Sequence, residues 1–344
     1  MVKAVRSRGE DVRRFLLEHI DVHAGDIAPF AAKQLGITRQ AVGKHLRRLL
    51  EEGAITQTGE TRARRYALAT VSEWTRRYRL GDSPAEDVIW RKDVEPVIGT
   101  LPDNVSRIWH IGFTEMFNNA IDHSEGTIIT LRIDKTAVST AMLVTDNGVG
   151  IFRKIQGALG LLDERHAVLE LAKGKLTTDP ARHSGEGIFF TSRMFDDFRI
   201  LSGGVYFDHK YGTNEDWILE PNSPKKGTTV WMELSNHTAR SSAKVYAKFA
   251  SATGEHDFGK TIVPVDLARY GDENLVSRSQ AKRVLARVDM FKVVIFDFAH
   301  VPAIGQAFAD EIFRVFALQH PLIEIHAINA NAEVRSMIER ATAR

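Results

Sequence analysis

The sequence has no cysteine among its 344 residues, which removes a whole class of covalent and metal chemistry. Disulfide bonds and thiolate metal sites are excluded, and the composition fits a reducing compartment. No uninterrupted apolar run reaches the ~18 residues that a membrane-spanning helix needs. Residues 1–14 also lack the apolar core of a secretory signal. We therefore expect a cytoplasmic protein without a membrane partner.

The chain as a whole has no strong excess of charge of either sign, because its net charge is only +2. Residues 1–80 nevertheless contain 16 Lys and Arg against 9 Asp and Glu, a balance of +7, which leaves −5 for the rest. Basic charge gathered at one end favours a polyanionic partner there, although a solvated basic surface is the alternative. The length suits two or three soluble domains.

Residues 1–70 predict three short helices followed by a hairpin. Apolar residues at helical spacing indicate helices over 11–20 and 26–36. Thr38 is suited to cap a third helix, which stops at Gly53. The short turn between the second and third helices is typical of a helix-turn-helix. With the two strands that follow, the segment resembles a winged helix-turn-helix.

This resemblance implies double-stranded DNA as a partner. Side chains at the start of the third helix would reach base edges in the major groove, and basic side chains on the wing would contact phosphates. The alternative is a winged helix that contacts only proteins. The predicted DNA-binding residues are Arg39, Gln40, Lys44, Arg62, Arg64 and Arg65.

The stretch EMFNNAIDH, residues 115–123, places several short polar side chains inside a predicted helix. Asn and Asp are poor helix residues, so such a run indicates a purpose other than folding. At 3.6 residues per turn, Glu115, Asn119 and either Asp122 or His123 share one face of the helix. An amide oxygen and carboxylates are hard ligands, suited to Mg²⁺ that already carries phosphate oxygens.

Three later stretches carry matching signals for a nucleotide. In LVTDNGVGI (143–151), the aspartate can accept a hydrogen bond from an exocyclic amine, and the glycines allow close backbone approach. In HSGEGIFF (183–190), a glycine-rich turn precedes an apolar helix, an arrangement that favours phosphate. In KGTTV (226–230), a threonine hydroxyl would support the aspartate. The candidate residues are Asp146, Gly148, Gly150, Gly185, Gly187 and Thr228.

Taken in this order, the four stretches resemble the ATP-binding domain shared by gyrase, heat-shock chaperones of the ninety-kilodalton class, histidine kinases and the mismatch-repair MutL protein. The resemblance covers roughly residues 89–238. It implies a Bergerat-type sandwich, in which a layer of helices lies on a mixed sheet and ATP is held between them. It also implies a mobile lid over residues 152–184.

The resemblance assigns roles to the matching residues. Asn119 would hold Mg²⁺, and Asp146 would hold the adenine amino group. Glycines Gly148 and Gly150 would border the adenine pocket, whereas Gly185 and Gly187 would lie beside the phosphates under the lid.

Glu115 occupies the position of the general base in gyrase-like ATPases and in the bacterial anti-sigma serine kinases, and NNAIDHSEG resembles the latter more closely. Such a carboxylate can accept a proton from an attacking water or hydroxyl. The alternative is an ion pair with a Lys or Arg. His123 and His183 are weaker candidates, for which phosphate contact and capping are both open.

Residues 241–344 alternate strands with helices, which predicts a partly parallel sheet. The pattern resembles the STAS fold of anti-anti-sigma factors. Those domains carry a phosphorylatable serine after the central strand, but Gly305, Gln306 and Ala307 stand at the corresponding turn here. The resemblance therefore implies a STAS-like unit without that phosphoacceptor.

Two polar groups of this segment have structural explanations. Helix capping accounts for Ser277 or Ser279, and Asp310, Glu311 and Arg314 are expected to form an ion network on a helix surface.

The resulting expectation is a multidomain α+β protein: a winged helix (1–70), a linker (71–88), an ATP-binding domain (89–240) and a STAS-like domain (241–344). Three functions remain open, because fold does not choose between them. The first is a transcriptional regulator whose DNA or protein contacts depend on nucleotide. The others are a serine/threonine kinase of the anti-sigma type, and a slow ATPase switch in a larger assembly, such as a defence system. A regulatory protein partner and a homodimer are compatible with each.

Overall fold

The computed structural model describes residues 2–176, 185–212, 216–219, 225–250, 258–269 and 273–343. Within these ranges the strands are β1 (Ile55–Thr58), β2 (Arg65–Leu68), β3 (Ser72–Arg79), β4 (Ile128–Lys135), β5 (Ser139–Asp146), β6 (Asp197–Gly203), β7 (Val205–Lys210), β8 (Asp216–Leu219), β9 (Lys225–Ser235), β10 (Lys260–Pro264), β11 (Val293–Asp297) and β12 (Glu324–Ile328).

The same ranges contain helices α1 (Val2–His19), α2 (Ile27–Leu35), α3 (Arg39–Glu51), α4 (Glu86–Ile89), α5 (Glu95–Ile98), α6 (Asp103–His123), α7 (Ile151–Leu159), α8 (Glu164–Lys173), α9 (Gly187–Met194), α10 (Ser242–Phe249), α11 (Arg278–Leu285), α12 (Gln306–Asp310), α13 (Ala317–Gln319) and α14 (Ala332–Thr342). None of these helices is both long and apolar enough to cross a membrane.

The first unit consists of α1, α2 and α3 followed by the antiparallel hairpin β1–β2. It has its own apolar core, to which each helix contributes, as with Leu16, Ala31 and Leu46. Thr38 caps α3 as predicted, because its hydroxyl accepts a hydrogen bond from the Ala41 amide at 3.2 Å. Helix α1 begins at residue 2 rather than 11, so the predicted first helix was too short.

The linker expected over residues 71–88 is largely a strand. β3 pairs antiparallel with β4 along its whole length and forms the edge of a seven-stranded sheet. Its Trp74 and Tyr78 are half-buried against the core, and the Tyr78 ring meets Phe117 edge-on at 5.6 Å between centroids. The sequence expectation was wrong because the Gly-Asp-Ser-Pro break marks only the turn after this strand.

The seven-stranded sheet has the order β3-β4-β5-β9-β6-β7-β8, and every neighbouring pair is antiparallel. The mixed sheet implied by the resemblance is therefore not found among the described strands. Helix α6 packs on β5 and β9 and buries Trp109, Phe113 and Phe117 completely. Gly112 allows this approach, since a Cβ there would lie 2.5 Å from the Phe195 ring.

A second, smaller sheet has the order β10-β11-β12 with both pairs parallel, as the alternation of strands and helices predicts. Helix α11 starts with a capping box in which Ser277 and Gln280 bond reciprocally. The predicted ion network is also present, but Asp310 and Glu311 are buried rather than on the surface as expected. Arg314 binds Asp310 through two hydrogen bonds, and Arg278 lies 3.9 Å from Glu311.

The two sheets share one apolar core, which extends from Ile89 to Ala341. Helix α10 packs on α9 and α6, and α8 packs on β10. Phe258 stacks among rings from both sides, including Phe189 at 4.6 Å and Phe291 at 5.2 Å between centroids. The domain boundary expected near residue 240 is therefore not a boundary of the core.

Candidate functional site

The polar face of α6 borders a cavity of about 310 Å³ beside the seven-stranded sheet. Glu115, Asn119 and His123 line it at intervals of four residues, which is the repeat of one helix face. Asp122 does not belong to this face. It is exposed to solvent and lies outside the cavity lining, so its assignment to the site is corrected.

The wall of the cavity combines apolar side chains with polar groups that project into it. Binding sites for small molecules commonly have volumes of roughly 300–1,000 Å³ and combine apolar walls with a few polar groups. The apolar lining includes Met116, Val144, Ile155, Leu171, Ile200 and Val230.

Asp146 ends β5 and supplies a buried carboxylate to the cavity. Its Oδ1 accepts hydrogen bonds from the Gly148 amide at 2.8 Å and the Thr228 amide at 3.2 Å. Burial raises the pKa of Asp146 above its ordinary value, while these backbone bonds act in the opposite direction. The carboxylate is thus fixed in position by one amide of the loop after β5 and one amide of β9.

The glycines after Asp146 are needed for close packing inside the protein. A Cβ at Gly148 would lie 1.9 Å from the Ser124 carbonyl oxygen. Gly150 has a φ of 93°, and a Cβ there would lie 2.7 Å from Ser202 Oγ. Neither glycine is part of the cavity lining, so the structure assigns them to shaping the loop rather than to direct ligand contact.

Thr228 links the loop to β9 and lines the cavity. Its hydroxyl accepts a hydrogen bond from the Ile151 amide at 3.0 Å, at the start of α7. Because its own amide binds Asp146, the threonine supports the carboxylate mainly through the backbone.

Gly185 and Gly187 both line the cavity at the start of α9. A Cβ at Gly187 would lie 2.0 Å from Glu115 Oε2, so the Glu115 carboxylate rests against the first residue of this helix. The Leu176 amide donates to the Gly185 carbonyl at 2.9 Å, which joins the two ends of the intervening segment. Residues 177–184, with His183 and Arg182, lie outside the described residues.

The lid expected over residues 152–184 contains two helices, α7 and α8. Every residue from His166 to Lys173 is buried, so α8 is a packed element rather than a loose cover. The expectation of a mobile segment is therefore wrong for α8. That expectation was based on glycine and proline residues, which are concentrated after the end of α8.

Lys154 is a site residue that the sequence interpretation missed. It projects from α7 into the cavity, and its Nζ donates to the His123 carbonyl at 2.8 Å and to Glu125 Oε1 at 3.0 Å. The apolar residues Ile151 and Ile155 indicate an amphipathic helix, and this pattern was the sequence signal that could have placed Lys154 beside the site. Ser124, which also lines the cavity, gave no comparable signal.

The predicted DNA-binding side chains lie on the surface of the first unit. Arg39, Gln40 and Lys44 are exposed on α3, and Arg64 and Arg65 are exposed at the hairpin. Within the described residues, none of the four cationic side chains among these forms an ion pair.

The side chain of Arg62 lies outside the described residues. Two other basic side chains on α3, Arg48 and His45, are less available for contact with a phosphate. Arg48 is paired with Glu52 at 2.9 Å, and His45 is partly buried, which lowers its pKa together with the charges of Arg13 and Arg48.

No cluster of three or more His, Asp or Glu side chains suited to a metal occurs in the part of the chain that the structure describes. Asn119 and Glu115 each offer a side-chain oxygen from α6 beside the cavity. So few protein oxygens are compatible with Mg²⁺, which usually retains waters and takes further ligands from phosphates.

A family model for the STAS-like domain of unknown function (DUF4325) matches residues 280–335. The match runs from α11 through β11, α12 and β12 into α14. No curated protein sequence matches the chain. The C-terminal unit is therefore STAS-like, while the matched segment contributes no residue to the cavity lining.

Proposed function

We propose that this protein is an ATP-binding regulator that binds DNA through its first unit and responds to nucleotide bound in the α6 cavity. One observation carries the nucleotide part. Four stretches that are far apart in the sequence contribute to one cavity, with Asp146, Asn119, Gly187 and Thr228 among its lining. Convergence of these residue types on a pocket with both apolar and polar walls supports a Bergerat-type site.

The donor set of the cavity fits a purine nucleotide. The apolar wall would accommodate a flat base, and the Asp146 carboxylate would accept a hydrogen bond from its exocyclic amine. Lys154 and the amides at the start of α9 would balance phosphate charge, and Asn119 would supply one oxygen to Mg²⁺. Bound ATP would supply a polyanion and a transferable phosphoryl group.

The DNA part of the proposal rests on the first unit. Three helices and a hairpin form a core separate from the rest of the protein, and the exposed start of α3 carries Arg39 and Gln40. This arrangement supports a winged helix whose third helix enters the major groove and whose hairpin contacts phosphates.

Isothermal titration calorimetry of the full chain with ATP, with and without Mg²⁺, tests the nucleotide site. GTP is the matched control, because guanine presents a carbonyl where adenine carries its amino group. We expect ATP to bind and GTP to bind at least about tenfold more weakly, since one buried hydrogen bond to a charged group is worth about 1.5–3 kcal/mol. No heat of binding with either nucleotide would contradict the site.

Phosphoryl transfer is a second candidate function, favoured by the position of Glu115. Its carboxylate lies at the start of α9 and lines the cavity, where it would accept a proton from an attacking water or hydroxyl. Incubation with γ-labelled ATP separates the possibilities. Free phosphate indicates an ATPase, label on protein indicates a kinase, and unchanged ATP indicates a binding switch.

A further inference from the structure

Helix α8 touches both the cavity and the STAS-like unit. Leu171 lines the cavity, and Leu176, just beyond the helix, lines it as well. Glu170 and Lys173 instead contact residues that follow α11 in the chain or belong to it. One side of α8 therefore faces the cavity, and another side contacts the STAS-like unit.

Lys173 is the centre of the contact with the STAS-like unit. It is 1% exposed, and its Nζ donates to Glu170 Oε1 at 2.6 Å, to the Arg283 carbonyl at 3.1 Å and to the Ala286 carbonyl at 2.8 Å. Its own carbonyl accepts from the Thr261 hydroxyl at 2.6 Å. All three ammonium hydrogens thus have acceptors, two of them across the contact.

Arg287 extends this contact to the residues that follow α8. Its Nη1 donates to Glu170 Oε2 at 3.0 Å, and its Nη2 donates to the Lys175 carbonyl. Lys175 Nζ in turn donates to the Met290 carbonyl at 3.0 Å. The next residue, Leu176, binds Gly185 through its amide and lines the cavity.

A buried ionic cluster at such a place is better explained by positioning than by stability. Replacing buried ion pairs with apolar side chains is often neutral or stabilising, and their best-attested use is to fix register between elements. Here the cluster of Glu170, Lys173 and Arg287 fixes α8 against the STAS-like unit. The cavity wall supplied by α8 therefore depends on that unit.

We propose that the STAS-like unit regulates the nucleotide site through α8, with Arg287 as the positioning residue. The inference rests on the proposed ATP site. When Arg287 holds Glu170 and the Lys175 carbonyl, Leu171 and Leu176 are fixed at the cavity. A partner that draws the STAS-like unit away from α8 would weaken nucleotide binding, and nucleotide would tighten the contact by the same factor.

The test compares Arg287→Gln with Arg278→Gln in the full chain. Both remove a cation from the same region, but Arg278 faces Asp310 and Glu311 within the STAS-like unit and, among the described residues, forms no hydrogen bond or ion pair with α8. We expect Arg287→Gln to weaken ATP binding by about tenfold, within the usual range of coupling between sites, and Arg278→Gln to leave it unchanged. Arg287→Lys, which can retain one of the two contacts, is expected to be intermediate.

Hydrogen exchange distinguishes positioning from a general loss of stability. In the wild type, ATP should increase the protection of amides in 164–176 and in 286–291, and Arg287→Gln should abolish the increase in the second segment. If Arg287→Gln does not fold well enough to measure, Lys175→Met replaces it. That variant removes the ammonium contacts to the Met290 carbonyl and to the Phe258 and Phe291 rings, and weaker ATP binding is again expected.

The outcomes separate the two proposals. Wild-type protein that binds no ATP overturns the proposed function and this inference together. Wild-type protein that binds ATP, with equal affinity and equal exchange in Arg287→Gln, overturns only the regulation by the STAS-like unit.

Discussion

The protonated form of Asp146 favours folding, whereas the ionised form is the one that the proposed contact with adenine requires. Its folded pKa is raised above the ordinary 3.8 by burial, so the ionised carboxylate lowers the stability of the folded protein. The favourable contribution of its protonated form is complete below pH 3.8 and is lost as pH rises through the folded pKa. The proposed bond to adenine needs the ionised form, so ATP affinity should fall as pH decreases through that same raised pKa.

Asp146→Asn should therefore separate binding from folding. We expect ATP affinity to fall about tenfold to a hundredfold, since a charge-assisted bond is worth about 1.5–3 kcal/mol. The melting temperature at pH 7 should be equal or higher, because no buried charge remains. Calorimetry and thermal unfolding measure the two effects. Unchanged ATP affinity would remove Asp146 from the site.

Glu115→Gln should keep nucleotide binding and slow any phosphoryl transfer. The amide has nearly the same shape beside Gly187 but cannot act as a base. A positioned general base typically contributes about 100-fold to 10,000-fold to rate. Release of labelled phosphate, or label transferred to protein, is the measurement. Equal rates in wild type and variant would show that Glu115 has no part in the chemistry.

At the scale of elements, the loop between β5 and α7 and the helix α7 itself each offer one glycine of a matched pair. Gly148→Ala would bring a Cβ within 1.9 Å of the Ser124 carbonyl, so the loop must shift, at a cost of about 1–3 kcal/mol of unfolding free energy. Gly157→Ala on the exposed side of α7 meets nothing within 4 Å. It should stabilise the protein by about 0.5–1 kcal/mol through helix propensity.

Denaturant unfolding of both variants checks this pair. A Gly148→Ala protein as stable as the wild type would mean that the loop does not pack against Ser124 as described.

The first unit makes a prediction about two kinds of contact with DNA. Replacing Arg64 and Arg65 together should weaken binding to all sequences and reduce the slope of log affinity against log salt by about 2, if each meets one phosphate. Gln40→Ala should instead relax preference at one base position, by about 1–3 kcal/mol. Arg91→Ala, outside this unit and paired with Asp87, is the control for net charge.

Fluorescence anisotropy over a range of salt concentrations gives both quantities. Full-length protein that ignores duplex DNA at low salt would favour the alternative in which this unit contacts proteins.

At the scale of the whole molecule, a series of hydrogen bonds and strand pairings joins the loop after β5 to the first unit. Asn147, next to Asp146, accepts hydrogen bonds from the Thr127 and Ile128 amides at the start of β4. Strand β4 pairs with β3, and only residues 69–71 separate β3 from the hairpin. The Val71 amide is itself bonded to the Lys135 carbonyl at 2.7 Å.

This connection predicts that ATP and DNA affect each other's binding. DNA affinity should differ between nucleotide-free protein, the ADP form and a form with a non-hydrolysable ATP analogue, by a factor of about 5–150 between extremes. ATP affinity measured with and without DNA must change by the same factor. Identical DNA affinity in all three forms would leave the nucleotide site serving the STAS-like unit or an external protein.

Local chemistry explains which features could be predicted from the sequence. The cap at Thr38, the capping box at Ser277 and the ion pair of Asp310 with Arg314 depend on residues within four positions of each other. The parallel order of β10, β11 and β12 follows from strands joined by helices. Such features need no knowledge of distant parts of the chain.

The sequence by itself determined the helices of the first unit apart from the start of α1, the caps at Thr38 and Ser277, and the order of the polar stretches around Glu115 and Asp146, because side-chain spacing and backbone preference act locally. Only the tertiary structure decided that β3 joins the large sheet, that Asp122 points to solvent, that Lys154 enters the cavity and that α8 is buried between two units. These depend on contacts between residues tens of positions or more apart, such as Lys173 with Ala286. No local pattern encodes which surfaces will meet. The free energy gained by forming the shared core depends on the apolar area that both units bury together.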